Sequence, residues 1–289
     1  MKVLVTGANG QLGTDLCRIL QHFEVIPLTH SDIEISDMSS VKQAFDKYKP
    51  DIVINTAAYV RVDDCESEPD KAFSVNALGA RNVAVAAHEL EAKLVHISTD
   101  YVFGGEAEPC ATPYTEFDTP IPPSIYGKSK LAGEDLVRHL CPRHFVVRTS
   151  GLFGTAGSSG KGGNFVETML KLGKERDELR VVNDQIFSPT YTQDLARKIA
   201  QLITTDYYGI FHITNKCYCS WHEFTTEILK QAGLKTLVIP ITPDQYPQKA
   251  RRPRFSVLGN YQLKLLGMDD MRPWQEALKD YMKEKGHIG

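Results

Sequence analysis

Tyr126 and Lys130 stand four residues apart in the run Tyr126-Gly127-Lys128-Ser129-Lys130, a spacing that puts two side chains on one face of a helix with Cβ atoms about 5–6 Å apart. A phenol beside an ammonium can do proton chemistry. In water a tyrosine titrates at about 10, too high for ready exchange at neutral pH, and a nearby cation favours the ionised form. The pattern alone arises easily in a chain with 12 tyrosines, so its meaning depends on what else the fold brings to it.

The second chemical signature lies at the amino terminus. Lys2-Val3-Leu4-Val5-Thr6 reads as a buried parallel strand that runs into Gly7-Ala8-Asn9-Gly10-Gln11-Leu12-Gly13. In such a turn the first glycine bends the chain, the second lets backbone approach a pyrophosphate, and the third allows close helix-to-strand packing. The helix N-terminus then faces the phosphates. Leu12, Leu16, Ile19 and Leu20 supply the helical repeat that this motif requires after it. Gly7, Asn9, Gly10, Gln11, Leu12 and Gly13 are therefore the expected dinucleotide cradle.

These groups need a scaffold that delivers them to one place. Phe23 to Leu28, Ile52 to Thr56, Leu94 to Ser98 and Phe145 to Thr149 read as further parallel strands. Helices fit Met38 to Tyr48, Pro69 to Leu90 and Gly127 to His139, and Ser220-Trp221-His222-Glu223 has capping-box spacing before another. Alternating strands and helices predict an α/β, Rossmann-like doubly wound parallel sheet, with ligands beyond the carboxyl ends of its strands. The loops after Thr6, Thr56 and Ser98 then share one rim. Residues 1–150 are expected to form the NAD(P)-binding domain, with later segments returning to it, and 151–289 mostly a smaller mixed α/β substrate lobe. Six glycines between Gly151 and Gly163 are expensive to order, and read as a lid beside the substrate or a surface linker.

With these features Asn55-Thr56-Ala57-Ala58-Tyr59, Val62-Asp63, Ser98-Thr99-Asp100-Tyr101-Val102-Phe103, Leu131-Ala132-Gly133-Glu134, Arg148-Thr149-Ser150, Asn164-Phe165 and Asn183-Asp184-Gln185 resemble the dTDP-4-dehydrorhamnose reductase family. That family belongs to the extended short-chain dehydrogenase/reductase superfamily. The resemblance runs from Met1 to about Trp274. It implies reduction of the C4 ketone of dTDP-6-deoxy-L-lyxo-4-hexulose by NADPH or NADH, giving dTDP-L-rhamnose. It assigns Tyr126 as proton donor, Lys130 as the cation that lowers the phenol and binds ribose, and Thr99 as a hydroxyl on the ketone; Thr99 could instead cap local backbone. It places Asp100 and Tyr126 on substrate, and Ala57, Ala58 and Tyr59 along the cofactor. Glu34 and Ile35 fall at the adenine, Glu34 competing with a solvated role. Arg252 falls on the substrate diphosphate or in a solvated basic loop. Asn76 is a candidate for ordering backbone near the site.

Two departures matter. Leu28-Thr29-His30-Ser31 has no carboxylate at the end of strand two, although Asp32 is close, so NADPH is expected to be accepted alongside NADH. Where relatives have tryptophan after Arg-Thr-Ser, this chain has Gly151, so the sugar pocket is wider or another aromatic such as Phe153 fills it. Asp15 and Gln193 stand where some relatives place metal-binding glutamates between subunits. With no third carboxylate evident, no metal and no metal-bridged dimer are expected, leaving a homodimer of another kind open. Related alternatives are an epimerase or other 4-ketoreductase, or a regulatory subunit of the methionine adenosyltransferase type.

Composition narrows the partners. The 289 residues include 33 basic and 36 acidic side chains, net −3, with no basic block to suggest nucleic acid. No run approaches the roughly 18 apolar residues of a membrane span, and no signal-peptide pattern precedes strand one. Cys17, Cys65, Cys110, Cys141, Cys217 and Cys219 show no metal or redox spacing, which suits reduced thiols. The expected setting is cytoplasmic.

Overall fold

The computed structural model describes residues 1–106, 112–157, 163–246 and 248–289. The chain opens with β1 (Lys2–Thr6), α1 (Gln11–Ile19), β2 (Glu24–Leu28), α2 (Met38–Tyr48) and β3 (Ile52–Asn55). Next come α3 (Val62–Ser67), α4 (Pro69–Phe73), a π-helical turn (Ser74–Gly79), α5 (Ala80–Glu89), β4 (Lys93–Thr99), a 3-10 turn (Asp100–Val102), α6 (Ile125–Leu140) and β5 (His144–Thr149). Then follow β6 (Leu152–Phe153), α7 (Phe165–Glu175), β7 (Glu178–Val182), β8 (Ile186–Phe187), β9 (Thr190–Tyr191), α8 (Thr192–Leu202) and β10 (Gly209–His212). The chain closes with β11 (Cys219–Ser220), α9 (Trp221–Gln231), β12 (Leu237–Ile241), α10 (Tyr261–Leu265) and α11 (Trp274–Glu284).

Six strands form one parallel sheet in the order β2-β1-β3-β4-β5-β10. Burial on both faces explains the apolar runs of the central strands, Val3–Val5 and Ile52–Ile54, while the edge strand β2 is partly exposed. Val3 and Val5 of β1 pack into one core with Leu16 of α1 and Leu195 and Ile199 of α8. Leu4, which points the other way, joins Val41 and Phe45 of α2, Val83 of α5 and Val137 of α6. The order reverses between β1 and β3, so the Gly7 turn and the loop after Asn55 flank a topological switch point, the usual ligand crevice of such sheets.

A third core, with Phe153, Phe187, Phe224, Trp274 and Tyr281, lies in the second lobe. There β7 pairs with β12 in parallel and β8 with β11 antiparallel. α8 and β10 lie between these segments in sequence yet belong to the main sheet and its helical cover. The capping box of Ser220 and Glu223 opens α9 as its spacing predicts. The expected single helix over Pro69 to Leu90 is instead interrupted by the π-helical turn, which carries Asn76.

Candidate active site

Beyond the carboxyl ends of β1, β3, β4 and β5 lies a cavity of about 1350 Å³ that continues into the second lobe. Pockets for one small ligand run to about 300–1,000 Å³, so this one has room for two. Its first arm is made by the turn after β1. Gly7 has φ +66°, and a Cβ there would meet Thr56 Oγ1 at 2.7 Å, while a Cβ on Gly13 would lie 2.3 Å from the Gly7 carbonyl. The glycines are thus what let α1 start so close to the sheet. No side chain caps α1 at Gly10, and the first N–H groups of a helix have no intrahelical partner. Gln11 Oε1 is buried without a hydrogen-bond partner among the described residues. Open amides in a cradle that Cβ atoms would fill suit the pyrophosphate of a dinucleotide, and the Gln11 oxygen suits a ligand hydroxyl.

All the expected cradle residues, Gly7, Asn9, Gly10, Gln11, Leu12 and Gly13, line this arm, with Glu34, Ile35, Ala57 and Ala58. Tyr59 does not line it: its hydroxyl turns to Glu68 and its ring lies under Lys71. Its backbone matters instead. Asn76 accepts from Tyr59 N (2.8 Å) and donates to Tyr59 O and to Ser129 Oγ, which bonds the Tyr126 carbonyl. The π-helical turn, a local form common at functional sites, thereby ties the loop after β3 to α6. Glu34 is already engaged by His30 (2.8 Å) and by the Ser36 amide and hydroxyl. Burial pushes its carboxyl up, but these partners hold it below the usual range. Asp32 is held by the Thr29 amide and hydroxyl, so Thr29 and His30 are what the end of β2 presents to the cavity.

Thr99, Asp100, Tyr126 and Lys130 face the same cavity. α6 begins at a Ser124 N-cap that accepts from Gly127 N, which places Tyr126 in its first turn, edge-on to Tyr101 with ring centroids 5.8 Å apart. The expectation that Lys130 lowers the phenol is corrected. Burial raises the Tyr126 phenol above its ordinary value, the adjacent Thr99 hydroxyl opposes the rise, and Lys130 is not among the main groups acting on it. Lys130 donates instead to the Ile97 carbonyl at 2.7 Å, and burial pushes its ammonium down to about 8, with Glu134 opposing. Glu134 itself is buried, bonded by Ser98 and doubly by Arg148, so one carboxylate joins β4, β5 and α6 directly behind the reactive groups.

Both readings of Thr99 are present: it lines the cavity, and its oxygen accepts from Tyr101 N at 3.2 Å. Asp100 is not poised for substrate alone, because its carboxylate accepts hydroxyls from Thr99, Ser150 and Ser256. Arg252 is not a free anion site either. It pairs with Asp63 at 2.8 Å and lies over the Tyr101 ring, clamping the C-terminal segment to the loop after β3.

The second arm is lined by Phe165, Met169, Leu172, Phe187 and Trp221. Gly151 has φ +54°, and its missing Cβ position lies 2.3 Å from the Phe187 ring. That ring stacks on Trp221, centroids 3.9 Å apart. The aromatic wall beside Gly151 is thus made by Phe187 and Trp221 and not by Phe153, which touches the arm but is 1% exposed and packs in the core against Tyr191. Sequence reasoning missed Trp221, Ser150 and Ser256. Only the capped helix start at Ser220 hinted that a tryptophan would be fixed there. The Gly-rich stretch begins with β6, and its part at 158–162 lies outside the described residues, as does Cys110.

Away from the cavity, Asp15 is bonded by Thr192, and Glu284 holds Arg18 and Tyr191 with Gln193 beside it. Glu284 is a second carboxylate near Asp15 that the sequence reading did not find. Among the described residues no group of three His, Cys, Asp or Glu is arranged for a metal, and no helix is long and apolar enough to cross a membrane.

The RmlD substrate binding domain family matches residues 1–286. The spore coat polysaccharide biosynthesis protein SpsK of Bacillus subtilis is 46% identical, over 98% of each chain. A solved dTDP-4-dehydrorhamnose reductase from Clostridium acetobutylicum is 46% identical with a TM-score of 0.93, covering 98% of this chain and 99% of its own. One from Bacillus anthracis, in complex with NADP, is 44% identical with a TM-score of 0.92 over the same shares.

Proposed function

The chain belongs to the RmlD substrate binding domain family, and from that membership we propose that it is an NAD(P)H-dependent oxidoreductase acting on a dTDP-linked 4-keto-6-deoxyhexose. The specific reaction is reduction of the C4 ketone of dTDP-6-deoxy-L-lyxo-4-hexulose to dTDP-L-rhamnose. One observation carries this reading: Thr99, Tyr126 and Lys130 line the same cavity as the Gly7–Gly13 cradle. The bound nicotinamide supplies the hydride, and the chain supplies position and a proton. A phenol raised by burial keeps its proton at neutral pH, which suits a donor to the ketone oxygen. Lys130 spends one N–H on Ile97 and has two left for ribose hydroxyls. At the end of β2 Thr29 and His30 face the cavity while the nearby carboxylates are engaged, Asp32 by Thr29 and Glu34 by His30 and Ser36, which supports use of NADPH.

A second reading keeps the chemistry and changes the sugar, since Gly151 and the Trp221 wall alter the region where relatives place an indole. The test is cofactor oxidation, with NADPH and with NADH, on dTDP-6-deoxy-L-lyxo-4-hexulose, followed by sugar analysis. Substrate-dependent oxidation giving the rhamnose nucleotide is expected. No oxidation with either cofactor would overturn the proposal, and oxidation only with another nucleotide-linked 4-ketohexose would select the second reading.

A further inference from the structure

One buried carboxylate gathers hydroxyls from three parts of the chain. Asp100 Oδ2 accepts from Ser150 at 2.8 Å, just after β5, and from Ser256 at 2.6 Å, in the C-terminal segment. Asp100 Oδ1 accepts from Thr99 at 3.1 Å. Asp100 is 4% exposed and borders the cavity. The Thr99 oxygen adjoins the Tyr126 phenol on its other side. A hydroxyl has one proton and two lone pairs. With Asp100 protonated at Oδ1 this bond reverses: Thr99 accepts from Asp100 and from Tyr101 N and turns its own proton to the phenol oxygen, so that carboxyl, hydroxyl and phenol form a row along which a proton can shift.

We propose that this row is a proton conduit, with Asp100 the reservoir that reloads Tyr126 during ketone reduction. The role rests on the reductase reading above. The ketone oxygen takes the phenol proton as its carbon takes hydride, leaving Tyr126 a phenolate. The Thr99 hydroxyl then gives its proton to the phenolate oxygen and takes one from the carboxylic acid at Asp100 Oδ1. At Tyr126 and at Thr99 one O–H bond breaks and one forms. Asp100 is left a carboxylate and regains its proton from water reaching it through the cavity.

The surroundings suit this task. Burial pushes the Asp100 carboxyl up to about 6 while the hydroxyls of Ser256, Ser150 and Thr99 favour its ionised form, so the proton is exchangeable near neutral pH. Among the described residues, the other titratable and charged groups around this end of the cavity include Tyr101 on the same turn, Tyr126 and Lys130 on α6, Cys65 on α3, and Arg252 paired with Asp63. A carboxylate that served only as an anchor would need no particular proton affinity.

The test is the pH dependence of kcat for ketone reduction. Because the reservoir works when protonated, wild-type kcat should fall as pH rises through the Asp100 inflection. Ser256→Ala removes a hydroxyl that stabilises the ionised form, so the inflection should move to higher pH, by about one unit; Ser150→Ala should act in the same direction. Asp100→Asn should abolish the falling limb and lower kcat by about tenfold or more. If Asp100→Asn fails to fold, the serine variants decide. An inflection unmoved in both serine variants, or wild-type kcat and profile in Asp100→Asn, would overturn the conduit. Absence of turnover in the wild type would instead overturn the reductase reading.

Discussion

The two arms of the cavity are built on opposite principles. The arm under the Gly7 turn is centred on the backbone of residues 7–13, and it keeps unsatisfied groups, with α1 uncapped at Gly10 and Gln11 Oε1 unpartnered among the described residues. The arm in the second lobe is walled by side chains that have satisfied one another across long sequence separations: Arg252 on Asp63, Ser256 on Asp100, Phe187 on Trp221. Unsatisfied donors await a ligand of fixed chemistry, which suits a shared cofactor. A self-satisfied wall sets shape, which suits selection among sugars.

The sharpest way to break the contrast is at the point where the arms meet. Tyr126→Phe should lower kcat by about 10²- to 10⁴-fold with NADPH affinity unchanged in a fluorescence titration, because the ring still packs on Tyr101 and only the proton is lost. Next in size, Gly7→Val forces a branched side chain into φ +66° and against Thr56. Strain of about 1–3 kcal/mol should weaken NADPH binding by about ten- to a hundredfold, while calorimetric binding of the dTDP-sugar persists. Loss of both together would show that the arms are not independent. On the other side, Trp221→Ala should raise KM for the sugar nucleotide by about tenfold, consistent with loss of roughly 1 kcal/mol of stacking plus buried area, and leave the NADPH Kd alone.

Much of the first arm was legible because its determinants are local. The Met38 to Tyr48 helix has the predicted bounds, since Val41, Ala44 and Phe45 bury one stripe and Asp37 caps it. The glycine spacing and the Ser220 capping box likewise carry their geometry within a few residues. The second arm was not legible, because its contacts join residues that no pattern pairs. Nothing in the sequence sets Ser256 against Asp100, or puts Trp221 in the space behind Gly151. The π-helical turn escaped for the same reason: it is fixed by Asn76 reaching Tyr59 and by Ile35 packing on Gly79. The direction for Tyr126 was misjudged because Tyr-x-x-x-Lys spacing says nothing of burial, which here raises the phenol while Lys130 is turned to Ile97.

The smallest effect concerns stability. Burial lowers the Lys130 ammonium from 10.5 to about 8, so the unfolded chain binds more protons between these values, and this group's contribution to stability rises as pH rises from about 8 to 10.5. At pH 7 it carries the full cost of a buried charge. Lys130→Met should therefore stabilise the ligand-free protein by about 1–3 kcal/mol at pH 7, read as a higher Tm, with the gain shrinking above pH 8. A Tm lowered at pH 7 would mean that the Ile97 hydrogen bond outweighs desolvation.

Isotope transfer tests most directly whether the two arms serve one reaction. Wild-type protein is given NADPH deuterated at the transferable C4 position together with dTDP-6-deoxy-L-lyxo-4-hexulose, and the product is read by mass spectrometry and proton NMR. Deuterium at C4 of the sugar, one atom per NADPH consumed and lost in step with turnover in Tyr126→Phe, is the expected result. NADPH left unconsumed, or a product without deuterium at C4, would contradict the account.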